Sequence, residues 1–186
     1  MEVPAGLAHD CPMGPRARLT VIVLAICGVI LPPATASAVS AAVTCAGTET
    51  VTYQPGVLLA PQNVSVTING ILAPCTSSDP TITSGTYLHN VNAVVSCSTV
   101  LAAQAGTRVF QWSNGQSSTF SYNRTVNNVG GQTTVTFTGT IVSGQFTGAT
   151  VIQQVVLVTP NSLQCLAPPG LTALGPGVSV LTINTV

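Results

Sequence analysis

The stretch Val109-Phe-Gln-Trp-Ser-Asn-Gly-Gln-Ser-Ser-Thr-Phe-Ser-Tyr122 contains two alternating apolar and polar runs joined by Asn114-Gly115. Alternation at period two is typical of a half-buried β-strand, and Asn-Gly between two such runs is a strong hairpin signal. A two-residue turn would divide the aromatic side chains between the two faces. A three-residue loop over residues 113–115, with Gly115 left-handed, pairs Phe110 with Ser118 and puts all the aromatics on one face. We predict this loop, because the alternative exposes half of the large apolar groups. The four aromatics are Phe110, Trp112, Phe120 and Tyr122.

Strand patterns of the same kind fill the rest of the chain from residue 41 onward. They are separated by turn dipeptides such as Pro55-Gly56, Asn69-Gly70 and Gly130-Gly131. No fragment is long enough and periodic enough to predict a helix of more than one turn. Eight or nine short strands with regular turns predict a two-sheet antiparallel β-sandwich, with a closed barrel as the alternative.

The first residues have the order of a secretory signal peptide. Arg16 and Arg18 precede the apolar run Leu19–Leu31, which ends at Pro32-Pro33 and is followed by small residues. We expect cleavage after Ala38, with Ala36 as the other choice. The predicted organisation is therefore a signal peptide over residues 1–38 and a single domain over residues 39–186, secreted and without stable membrane insertion after cleavage. The run is short for a spanning helix, which needs about 20 apolar residues.

Ionisable side chains are scarce in the predicted mature chain, and the whole sequence contains no lysine. A neutral chain without a basic stripe has no electrostatic footprint for nucleic acid or for anionic lipid. Those two partner classes are therefore excluded. The acidic and basic residues that remain beyond residue 38 are Glu49, Asp79, His89, Arg108 and Arg124.

Four cysteines remain after the predicted cleavage, namely Cys45, Cys75, Cys97 and Cys165. In an exported chain they predict two disulfides, with three possible connectivities. Metal ligation would need close C-x-x-C pairs, which are absent, so we expect no metal. We favour Cys75–Cys97 with Cys45–Cys165, because the first pair lies on neighbouring predicted strands and the second would tie the first strand to a late one.

Several short motifs resemble those of small secreted all-β proteins of bacteria. The motifs are Thr44-Cys45-Ala-Gly, Tyr53-x-Pro-Gly56, Pro74-Cys75 with Ser78-Asp79-Pro80, Trp112-Ser-Asn-Gly115 and Ser143-Gly-x-Phe146. The resemblance covers nearly all of the predicted mature chain. It implies export, disulfides and an immunoglobulin-like sandwich, and it carries no catalytic residue across.

A catalytic constellation cannot be assembled convincingly from these residues. His89, Asp79 and a serine would make a triad, but no G-x-S-x-G elbow is present. Glu49 and Asp79 would have to serve as a glycosidase pair, yet Asp79 precedes Pro80 in a turn and Glu49 could simply pair with an arginine. We therefore expect no enzyme, no catalytic residue and no cofactor.

Two further features allow a binding function. The four aromatics could form an exposed platform for sugar rings or the core of the domain, and we favour the core. Arg108 and Arg124 could bind an anion or cap the hairpin, and we favour capping. A disulfide-clamped inhibitor loop over residues 76–83 has no specific support. The sequence thus predicts a secreted structural or binding module with an unknown extracellular protein or glycan as partner. The alternative is a carbohydrate-binding domain that uses the aromatic face.

Overall fold

Eight antiparallel strands form a closed β-barrel in which each strand is hydrogen-bonded to its sequence neighbours and β1 to β8. The fold comes from a computed structural model, which describes residues 40–185; the predicted signal peptide lies outside the described residues. Within those residues, no helix is long and apolar enough to cross a membrane. The strands are β1 Ser40–Val57, β2 Gln62–Ser77, β3 Gly85–Val95, β4 Gln104–Trp112, β5 Ser117–Val129, β6 Gln132–Gly144, β7 Thr150–Val158 and β8 Leu171–Thr185, with a 3₁₀ helix at Ser162–Leu166.

The predicted two-sheet immunoglobulin-like sandwich is wrong. All connections join strands that are adjacent in the barrel, and the pairing of β1 with β8 leaves one ring instead of two facing sheets. Alternating strands have one apolar face in either architecture, so the alternation alone does not distinguish them. Register shifts in β1, where it pairs with β2 and β8, and in β5 bend the strands enough to close the ring.

Glycines on the inner face provide room for aromatic side chains of the neighbouring strand. The Tyr87 ring of β3 lies over Gly70 of β2, in the position that a Cβ of residue 70 would need. A Cβ at Gly85 would lie 2.8 Å from the Trp112 ring of β4. Aromatic groups packed over cross-strand glycines are a device by which curved sheets and barrels turn their corners.

The central hairpin has the predicted register. Phe110 pairs with Ser118, the Trp112 amide donates to the Gln116 carbonyl at 2.8 Å, and Gly115 is left-handed with φ of 79°. The four aromatics share the inner face, and Phe110, Trp112 and Phe120 are 0%, 4% and 0% exposed. The aromatic face is therefore core, as we favoured.

The two ends of the barrel differ in how they are filled. One end, here called the closed end, carries the loops over residues 78–84, 113–116 and 145–149; it is filled by the hairpin aromatics with Leu72, Ile82 and Ile141. The other, here called the open end, carries the loops over residues 58–61, 96–103, 130–131 and 159–170. Side chains fill the interior only in part at this end.

The four cysteines form two disulfides, as predicted, but with a different connectivity. Cys45 pairs with Cys75, which lies directly opposite in the β1–β2 register, and Cys97 pairs with Cys165. The favoured Cys75–Cys97 bond fails because the antiparallel β2–β3 pairing places Cys75 towards the closed end and Cys97 in an open-end loop. Two disulfides indicate an oxidising environment.

Candidate ligand-binding cavity

A cavity of about 150 Å³ occupies the open half of the barrel. Its wall is apolar, with side chains from six strands and from the loop over residues 96–103. The apolar lining comprises Val51, Val66, Ile68, Val91, Ala93, Val95, Val100, Leu101, Val135, Phe137, Leu157 and Leu174. An engineered protein cavity of about the same volume, roughly 150 Å³, binds benzene, so the space suits one small molecule.

The floor of the cavity is a hydrogen-bonded network that links β1, β3, β4, β7 and β8. Arg108 Nη1 donates to Glu49 Oε2 at 3.0 Å and to Gln153 Oε1 at 2.7 Å. The Tyr87 hydroxyl donates to Glu49 Oε2 at 2.7 Å, and Gln153 Nε2 donates to Tyr87 Oη at 2.8 Å and to Ser179 Oγ at 2.9 Å. Among the described residues, no buried side-chain nitrogen or oxygen lacks a partner. The floor is therefore a rigid polar layer below the cavity.

Aromatic rings and one carboxylate keep Arg108 charged inside the barrel. Its guanidinium carbon lies 4.2 Å from the Phe137 ring centroid, 4.5 Å from that of Tyr87 and 5.2 Å from that of Tyr122. Burial acts to lower the pKa of Arg108, but Glu49 and the tyrosines outweigh it and the pKa is raised. Burial and the charge of Glu49 raise the pKa of Tyr87, so its hydroxyl remains a donor.

Three polar side chains in the upper wall have little or no protein partner. Tyr53 is 5% exposed and lines the cavity, yet no described residue accepts or donates a hydrogen bond at its hydroxyl. Tyr122 also lines the cavity, where its side chain interacts with Arg108. Arg124 donates from Nε to the Ala102 carbonyl at 3.0 Å and from Nη2 to the same oxygen. These groups are available to a ligand.

The hydrogen-bonded pairing of β3 with β4 is short and ends before the cavity. β3 and β4 pair only at Gly85↔Trp112 and Thr86↔Gln111, near the closed end. Beyond that point the two strands have no registered pairing, and both of them contribute side chains to the cavity. The loop over residues 96–103 lies at the end of this gap and is tied to the 3₁₀ segment by Cys97–Cys165. A small molecule could enter between the two strands.

The candidate catalytic residues are not brought together as a triad or a carboxylate pair. His89 and Glu49 line the cavity, whereas Asp79 lies in a closed-end loop, where Thr81 donates to its Oδ1 from the backbone at 2.9 Å. Asp79 therefore has the local turn role that the sequence indicated. Glu49 pairs with an arginine, as the sequence also suggested. Among the described residues, no cluster of three or more His, Cys, Asp or Glu side chains could hold a metal ion.

The structure changes the roles expected for the aromatics and arginines. The aromatic face is buried, so the carbohydrate-binding alternative loses the surface on which it rested. Arg108 lies in the interior and does not cap the hairpin, while Arg124 contacts the Ala102 carbonyl of the neighbouring loop. The sequence did contain a signal for this inward position. Arg108 is two residues before Phe110 and Arg124 is two residues after Tyr122, and residues two apart on a strand face the same side.

No protein-family model, no curated protein and no solved structure matches the chain. The resemblance to small secreted bacterial proteins therefore stays a prediction. The geometry of the cavity carries the functional inference.

Proposed function

We propose that this chain is an extracellular binding module that holds one small, largely apolar molecule in the open half of its barrel. Eight-stranded barrels have an interior that side chains just fill or that holds one small ligand. Here the closed half is filled and the open half is not. The observation that carries the proposal is the cavity itself, which combines an apolar wall with unpartnered polar groups, as small-molecule sites do.

Binding is a better fit to this cavity than catalysis. Glu49, the carboxylate at the floor, is already bonded to Arg108 and Tyr87. A general base must reach the proton that it abstracts and be free to accept it. His89 is the remaining candidate base, and no described side chain forms a hydrogen bond that would orient its ring. Two disulfides and the predicted leader support a location outside the cell.

Neighbouring residues on opposite faces of β3 provide a matched test. Ala93 lines the cavity, whereas the side chain of Val94 is 65% exposed on the outer face. Titration with toluene and with benzamide, followed by NMR of the wall methyl groups, should reveal saturable binding to the full, disulfide-bonded chain. Ala93→Phe fills the cavity and should abolish binding, while Val94→Phe should leave it unchanged.

Two results would contradict the proposal. One is the absence of saturable shifts in the wall methyls of the wild-type chain, which would favour a purely structural module. The other is equal binding by wild type and the Ala93→Phe variant, which would place the probe elsewhere. Circular dichroism of both variants checks that the barrel is intact.

A further inference from the structure

We propose that the ligand is a small monocarboxylate with an aromatic or branched apolar body, and that Arg124 and the Tyr53 hydroxyl bind its carboxylate. This inference rests on the proposed function, because it names the chemical class that the cavity selects. It follows from the charge balance of the interior, the free edge of one guanidinium and an unpartnered hydroxyl that lines the cavity.

The cavity has one more positive group than negative groups. Arg108 and Arg124 line it together with a single carboxylate, Glu49. Glu49 is 3.0 Å from Arg108 and forms the one ion pair found among the described residues. Asp79, the other carboxylate in that part of the chain, lies in a loop at the closed end. Arg124 therefore remains without a counter-ion, and a bound anion would neutralise it.

The orientation of Arg124 suits a carboxylate. Its Nε and Nη2 both donate to the Ala102 carbonyl, which occupies the side edge of the planar guanidinium. The end edge, formed by Nη1 and the second hydrogen of Nη2, has no acceptor among the described residues. Two parallel N–H groups match the two oxygens of a carboxylate. The Ala102 contact fixes the guanidinium in advance, which reduces the entropy lost on binding.

Tyr53 supplies a second donor in the same cavity. Its ring is 5% exposed, and its hydroxyl has no partner among the described residues. Burial raises the pKa of Tyr53 although Arg124 lowers it, so the phenol stays protonated and able to donate. Tyr53 and Arg124 both line the cavity. The hydroxyl is therefore free to donate a hydrogen bond to a ligand oxygen in the cavity.

The rest of the cavity restricts the ligand's body and charge. Its wall is formed mainly by aliphatic side chains, so the remainder of the ligand must be apolar and about the size of a benzene ring. A dianion would leave one negative charge uncompensated by a protein group, and a cation would be repelled by Arg124. A single carboxylate is the charge that balances the site.

Four probes with the same ring separate the possible head groups: benzoate, the neutral benzamide, phenyl phosphate and benzylamine. We expect calorimetry at low ionic strength to give benzoate at least about tenfold tighter binding than benzamide, with phenyl phosphate and benzylamine weaker than benzoate. Equal affinity for benzoate and benzamide would overturn the inference. So would tighter binding of phenyl phosphate or of benzylamine.

Variants at the two donors locate the carboxylate. Arg124→Gln should weaken benzoate by about tenfold or more and leave benzamide unchanged, and Arg124→Lys should fall between the two because it keeps the charge but not the fork. If loss of the Ala102 contact disturbs the fold of these variants, Tyr53→Phe removes only a hydroxyl and should still weaken benzoate selectively. Unchanged benzoate affinity in folded Arg124→Gln or in Tyr53→Phe contradicts the assignment.

The outcomes distinguish this inference from the proposed function. If benzamide binds in the cavity and the Ala93→Phe variant abolishes its binding, the binding module stands even when benzoate has no advantage. If neither probe binds, both proposals fail.

Discussion

Substitution of Glu49 by leucine should destabilise the barrel strongly, because it leaves a buried charge without a counter-ion. Arg108 is 3% exposed and Glu49 7%, and their atoms are 3.0 Å apart. Leucine resembles glutamate in size, so the change removes the carboxylate with little change in packing. It also removes the acceptor of the Tyr87 hydroxyl.

The expected cost follows from the burial of the pair. Removing one partner of a buried ion pair costs about 3–5 kcal/mol, most of which is the penalty of the charge left behind. For a domain of this size, each kcal/mol shifts the melting temperature by about 2–4 °C, so the expected decrease is about 6–20 °C. Urea denaturation with the disulfides intact measures the free energy of unfolding, and calorimetry measures the melting temperature.

The double variant Glu49→Leu with Arg108→Met is the decisive control. Replacing both members of a buried pair by apolar groups is often neutral or stabilising. Here Gln153 would lose the donor to its Oε1, a cost of about 1–3 kcal/mol. The double variant should therefore be more stable than the single one. If Glu49→Leu costs less than about 1 kcal/mol, or if the double variant is the less stable, the pair is not the dry, mutually dependent unit described above.

Three more outcomes follow from other contacts. Thr81 lowers the pKa of Asp79 through side-chain and backbone hydrogen bonds. The ionised carboxylate therefore stabilises the fold at pH values above its unfolded pKa of about 3.9, and this contribution is lost as the pH falls through the lower pKa of the folded state. In an NMR titration, Thr81→Ala should raise the pKa of Asp79, and an unchanged pKa contradicts the assignment. Gly70→Ala should lower the free energy of unfolding, measured by urea denaturation, by about 1–3 kcal/mol. The buried Tyr87 ring occupies the position that the new methyl group would need. A variant as stable as the wild type would show that the ring can move. Replacing both Cys97 and Cys165 by serine should lower the free energy of unfolding by about 4 kcal/mol, because the disulfide restricts the unfolded chain across a separation of 68 residues. A decrease of less than about 1 kcal/mol contradicts that account.

Features that depend on neighbouring residues could be predicted from the sequence. The hairpin loop over residues 113–115 and its register follow from one Asn-Gly dipeptide and two alternating runs, and both are confirmed. The local role of Asp79 is also confirmed, since it depends on the turn around it. In each case a shift by one residue would have turned apolar groups outward or left a turn amide unpaired.

Features that depend on distant pairing could not be predicted. Closure of the barrel requires β1 to pair with β8, a contact that joins the two ends of the described chain and leaves no local pattern. The disulfide connectivity also depends on strand register, since Cys45 faces Cys75 only once the β1–β2 register is set. Neighbouring strands can hold two cysteines at opposite ends, which is why Cys75 and Cys97 do not meet.

The placement of the charges argues that the open half of the barrel is a site and not a packing defect. Among residues 40–185 the charged side chains are Glu49, Asp79, Arg108 and Arg124, and all but Asp79 line the cavity. Burying a charge is costly, and a buried ion pair adds little stability that apolar side chains would not supply. A barrel needed only for its shape would place such groups outside. Glu49 and Arg108 instead form a fixed floor, and Arg124 adds a charge that no described protein group neutralises. A bound anion would balance the charge that Arg124 adds to this interior.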